Sequence, residues 1–167
     1  MKHITRRSML VLAGASLAAC SRVSRLTGHS LAPNTRLIIY RHGDRDGEDL
    51  NALGMARSEA IAAALDGLPI DVIYSPGIQR NLDTAAPLAQ ARGMEITRAD
   101  PATIGRRISR LSAGRSVVWV GNQGNIRDIW EALGLENPAP LEYGNLYIVT
   151  TDGAGTVSIE RRQVDVD

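Results

Sequence analysis

Between Leu37 and Glu160, short apolar runs alternate with segments of helical period, and few architectures bury both. Leu37 to Tyr40, Ile70 to Tyr74, Met94 to Thr97 and Ser116 to Val120 read as strands. Strands this continuously apolar are buried on both faces, as happens when helices cover a parallel sheet. The alternation therefore predicts an α/β domain, a three-layer α/β/α sandwich with a mainly parallel sheet. Near the end, Leu146 to Thr150 and Thr156 to Glu160 flank Asp152-Gly153-Ala154-Gly155 and predict a C-terminal β-hairpin. The chain contains no Phe, so the core must come from Leu, Ile, Val and Ala.

The helices have their own signals. Asn51 is a good N-cap for a helix with Leu53, Ala56, Ala60, Ala63 and Ala64 on its inward face, stopped by Gly67 and Pro69. A second helix carries Arg80 near its start, and Pro87 should kink it. Asp100 with Pro101 predicts a capped helix start with proline at the first helical position. Asn125 is a candidate cap for a last helix, whose Ile126, Ile129, Trp130 and Leu133 have core spacing before Gly134.

The first strand ends abruptly in Arg41-His42-Gly43. In open parallel sheets the carboxyl ends of strands face the ligand crevice. His42 follows the first strand, Arg80 lies just past the second, and Asn122 just past Ser116 to Val120, so parallel strands bring them to one edge. Guanidinium groups match phosphate oxygens with forked donors and keep their charge at any ordinary pH. An imidazole between Arg41 and Arg80 is biased toward its neutral form. Held by a neighbour at one ring nitrogen, it has a lone pair free at the other.

The series Tyr40-Arg41-His42-Gly43, Leu50-Asn51-Ala52-Leu53-Gly54 with Arg57, and Ile73-Tyr74-Ser75-Pro76 with Arg80 and Thr84-Ala85 resembles the histidine phosphatase superfamily, also called phosphoglycerate mutase-like. The likeness continues through Val117 to Gly121 and Tyr143 to Tyr147. It implies a phosphohistidine intermediate on His42, later hydrolysed by water, with Arg41, Arg80 and Asn122 as phosphate ligands and no metal or cofactor. Asn122 departs from the pattern, because the family's second histidine belongs there. An amide donates a hydrogen bond without charge and shuttles no proton, which implies a slow phosphatase. The alternative is an inactive pseudophosphatase that grips a phosphorylated ligand. Asp44 is the nearest candidate proton donor in sequence, with a solvated loop carboxylate as the rival reading, and Gln123 is a further amide beside Asn122. The implied partner is a small phosphorylated substrate or a phosphoprotein.

The remaining expectations concern the amino-terminal part. Lys2, Arg6 and Arg7 precede an apolar run from Met9 to Ala19. Thr5 to Leu10 resembles a twin-arginine export signal. Leu17-Ala18-Ala19-Cys20 resembles a bacterial lipoprotein processing box, preferred to an ordinary cleaved signal with an incidental cysteine. This divides the chain into a signal peptide at 1–19, a lipidated Cys20 with a flexible tether at 20–34, and the phosphatase-like domain at 35–167. The expected location is the periplasmic side, anchored in a membrane, with Ser21 inclining sorting to the outer membrane. A formal net charge of +1 gives no field to recruit nucleic acid, and Arg106, Arg107, Arg110, Arg161 and Arg162 read as solvated faces. His42 is the one histidine and Cys20 the one cysteine that bear on chemistry, so neither a histidine-rich nor a cysteine-based metal site is expected in the domain.

Overall fold

A computed structural model describes residues 31–166. Its elements, in chain order, are β1 (Arg36–Arg41), β2 (Arg45–Asp46), β3 (Asp49–Leu50), α1 (Ala52–Ala64), β4 (Val72–Ser75), α2 (Gln79–Arg92), β5 (Ile96–Arg98), α3 (Ile104–Leu111), β6 (Ser116–Gly121), α4 (Gln123–Ala132), β7 (Asn145–Thr151) and β8 (Val157–Gln163). The main sheet has the order β5-β4-β6-β1-β7-β8. Strands β1, β4, β5 and β6 run parallel, β7 is antiparallel to β1, and β8 pairs antiparallel with β7 in the terminal hairpin. The predicted α/β/α sandwich and C-terminal hairpin are both present. Cys20, the signal segment, His3 and His29 lie outside the described residues.

Because successive side chains of a strand point to opposite faces, β1 and β6 supply two cores. Leu37, Ile39, Val117 and Trp119 face one side and pack with Ile104 and Ile108 of α3 and Ile126, Ile129 and Trp130 of α4. Ile38, Tyr40, Val118 and Val120 face the other and pack with Ile61 of α1, Leu65, and Ala85 and Leu88 of α2. All four core positions predicted for the last helix are buried.

Four local expectations are corrected. The inward face of α1 is Gly54, Arg57, Ser58 and Ile61, while Leu53 is 39% exposed. The small and polar face turns inward because the loop after β1 packs directly on the first turn of α1. A Cβ on Gly54 would lie 2.0 Å from the Asp44 carbonyl oxygen, and one on Gly43 would lie 2.6 Å from that of Gly54. The proline-capped start at Asp100 is a turn instead. The Asp100 carboxylate accepts from the Ala102 N–H at 3.0 Å and the Thr103 hydroxyl at 3.0 Å, and α3 begins at Ile104. Competition by such local Asp bonds is a general reason for helix starts to slip.

Asn125 is not the cap of α4, which Asn122 precedes. It sits in the first turn and its Oδ1 accepts from the Asn122 N–H and the Trp119 indole N–H, both at 3.0 Å. Gly121 makes room for that junction, as a Cβ there would meet both groups at 2.3 Å. Finally, the last residues of the expected tether are packed. Leu31 is 5% exposed within a core, the Ala32 carbonyl accepts from the Thr151 hydroxyl, and the Asn34 N–H donates to the Asp152 carbonyl at 3.2 Å.

Candidate active site

The strand order β4-β6-β1 puts the three sequence-predicted site elements side by side. β6 lies between its neighbours, and Arg41 is in register with Gly121, so His42 and Asn122 follow from adjacent strand ends. The His42 N–H donates to the Gly121 carbonyl at 2.9 Å. Arg80, in the first turn of α2, is tied in through Thr84. The Gly43 N–H donates to the Thr84 hydroxyl at 2.9 Å, which donates to the Arg80 carbonyl at 2.7 Å.

His42 is 3% exposed, and its Nδ1 lies 2.8 Å from the Gly43 carbonyl oxygen. A carbonyl only accepts, so Nδ1 carries the hydrogen and Nε2 of the neutral ring keeps its lone pair. Burial pushes the imidazole pKa down to about 4, and the positive charges of Arg41, Arg80 and Arg45 push in the same direction against the hydrogen bond to Gly43. The ring is therefore neutral at ordinary pH.

The cations are held from outside. Arg41 donates through Nη1 to the Leu141 carbonyl and through Nη2 to the Tyr143 hydroxyl, each at 3.1 Å. Its guanidinium carbon sits 3.9 Å from the centroid of the Tyr143 ring, which also meets His42 edge-on at 5.9 Å. Arg80 donates through Nη1 to the Glu48 carboxylate on the turn between β2 and β3. The Nε atoms of both arginines and the Oδ1 of Asn122 are buried without a hydrogen-bond partner. Buried polar groups are nearly always paired, and cationic N–H groups beside an imidazole suit an oxyanion as partner.

Two residues have different duties from those the sequence suggested. Asp44 accepts from Arg57 Nε at 2.6 Å, and Arg57 Nη1 donates to the Val164 carbonyl at 2.5 Å. Asp44, the candidate proton donor in the sequence, is thereby an ion-pair partner that braces the loop after β1 against α1 and the C-terminal segment. Gln123 donates to the Leu141 carbonyl at 3.1 Å, supporting the acceptor that also holds Arg41. Tyr143, Glu48 and Thr84 were not foreseen as site residues. Tyr143 is about a hundred positions from Arg41, and only its place in the closing motif of the family resemblance hinted at it. Among the described residues, no group of three His, Cys, Asp or Glu side chains is arranged to hold a metal ion.

The site is thus a neutral buried histidine at the carboxyl edge of a parallel sheet, beside two arginines whose Nε groups have no hydrogen-bond partner. Residues 30–101 match the family model of the histidine phosphatase superfamily (branch 1). Solved structures agree in fold. Mycobacterial glucosyl-3-phosphoglycerate phosphatase Rv2419c with inorganic phosphate is 19% identical at a TM-score of 0.54, over 77% of this chain and 95% of that one. A candidate phosphohistidine phosphatase SixA from Agrobacterium tumefaciens is 23% identical at a TM-score of 0.55, over 79% and 96%. The protein histidine phosphatase SixA complexed with tungstate is 18% identical at a TM-score of 0.55, over 77% and 96%. No curated protein matches the chain.

Proposed function

We propose that this protein is a phosphatase that works through a phosphohistidine on His42 without a metal. The carrying observation is the oriented, neutral His42, with its Nδ1 fixed by the Gly43 carbonyl and the unpaired Nε groups of Arg41 and Arg80 nearby. In the first step Nε2 attacks phosphorus while the bond to the leaving oxygen or nitrogen breaks, and the leaving group takes its proton from solvent water. The ring becomes cationic, and the Nδ1 bond to the Gly43 carbonyl stabilises that charge. Water then attacks the phosphorus, the nitrogen–phosphorus bond breaks, and its electron pair returns to Nε2. The two guanidinium groups neutralise the phosphoryl oxygens in both steps, the service a metal ion would otherwise supply.

Asn122 limits the rate. A neutral amide stands where the family has a second histidine, and loss of one such donor typically costs about 100-fold to 1,000-fold. With Asp44 engaged by Arg57, substrates whose leaving group needs little protonation suit this site, and a labile phosphoramidate such as phosphohistidine is one. The purified protein should hydrolyse a generic aryl phosphate slowly and at an unchanged rate in the presence of chelator. Activity that disappears with chelator would sink the metal-free reading.

We also propose export and anchoring through Cys20, which rests on the sequence alone. The mature protein should begin at an acylated Cys20 and fractionate with membranes. An unmodified cysteine in the mass spectrum of membrane-extracted protein would rule this out.

A further inference from the structure

The turn that covers Arg80 carries an inference that rests on the phosphate-site reading above. Strands β2 and β3 are two residues each and are joined by Gly47 and Glu48. Gly47 has a positive φ of 64° and open space around it, and residues 45–49 are exposed. Few bonds secure the turn: Arg45 Nη1 donates to the Gly47 carbonyl, and the Asn51 amide reaches Asp46 at 3.5 Å. A hairpin of this size contributes little stability of its own.

Its tip nevertheless delivers a carboxylate to a site cation. The Glu48 side chain is 82% exposed and the Arg80 side chain 14%, so a solvated anion closes over a mostly buried guanidinium. Arg80 Nη1 is occupied by Glu48 while its Nε remains unpaired. On leaving Arg80, the carboxylate has Arg45 Nη1 4.0 Å from its other oxygen. An alternative partner on the same turn lowers the cost of release.

We infer that Glu48 is an internal anion that phosphate must displace from Arg80, which makes it a residue that sets the affinity and anion preference of the site. A carboxylate and a phosphate oxygen compete for one guanidinium corner, and the doubly charged phosphate wins by its larger charge. The empty site is thereby kept from binding weaker, singly charged anions.

The test measures binding of inorganic phosphate and of vanadate by calorimetry to the full-length protein and two variants. Glu48→Gln keeps the shape of the side chain and removes its charge. Its Kd for both anions should fall about fivefold, the scale of a partly exposed ion pair. Glu59→Gln removes the same charge from the exposed face of α1 and should leave the Kd unchanged. An equal or weaker affinity in Glu48→Gln, equal tightening in Glu59→Gln, or no anion binding to any of the three proteins would overturn the inference. Turnover of an aryl phosphate separates the two readings. Tighter binding in Glu48→Gln without turnover in any protein refutes only the hydrolase, while normal turnover with unchanged binding refutes only the role of Glu48.

Discussion

His42→Ala should abolish phosphoenzyme formation and lower turnover by roughly 10⁴-fold to 10⁶-fold, the scale seen when a nucleophile is removed. No other histidine lies within residues 31–166, so nothing replaces the lost Nε2. The pH profile follows from the same residue. With its pKa at about 4, His42 loses its lone pair only in strong acid, so the acid limb of the rate should fall near pH 4 rather than near 6.5. The sign for stability is also set. Between about pH 4 and 6.5 the unfolded chain binds a proton at this position that the folded chain excludes, so stability rises with pH across that window. The shift corresponds to about 3 kcal/mol of stability, present above pH 6.5 and lost toward pH 4. His42→Ala should flatten this slope in denaturant titrations. Undiminished turnover in His42→Ala would overturn the assignment of the nucleophile.

Asn122→His should raise turnover by about 10-fold to 100-fold, recovering part of what a missing donor costs. The position is ready for it. Asn122 follows β6 beside His42, and its N–H is held by the Asn125 side chain, a backbone bond that the substitution leaves in place. The new imidazolium would place a charged donor beside His42 in place of a neutral amide. Rapid-quench trapping of the phosphoenzyme, run beside steady-state turnover, reads the effect on the chemical step. Tight phosphate binding with no trapped phosphoenzyme in either wild type or Asn122→His would identify a phosphate-binding pseudophosphatase.

The sequence and the structure divide the explanation unevenly. Strand identity was legible because Leu37 to Tyr40 and Ser116 to Val120 are apolar without interruption, and a run of that kind is buried on both faces whatever its neighbours. The edge holding His42, Arg80 and Asn122 followed from parallel connectivity, which brings successive strand ends to the same side. Side-chain partnership did not follow. Periodicity placed the alanines of α1 inward, yet the inward face is Gly54, Arg57, Ser58 and Ile61, since the loop that follows His42 packs on the first turn of α1 and needs a surface without bulk.

The same distinction governs the charges in the site. That Arg41, His42, Asp44 and Arg80 lie near one another could be read from their order along the chain and the strands between them. Which carboxylate takes which guanidinium could not, because ion pairing is decided over a few ångströms by the direction of each loop. Tertiary structure gave Asp44 to Arg57 and Glu48 to Arg80, and brought Tyr143 beneath Arg41 from the far end of the chain. The chemical kinds of group at the site were therefore determined by local sequence and sheet connectivity, while their partners and free edges were decided by packing between segments that sequence spacing does not relate.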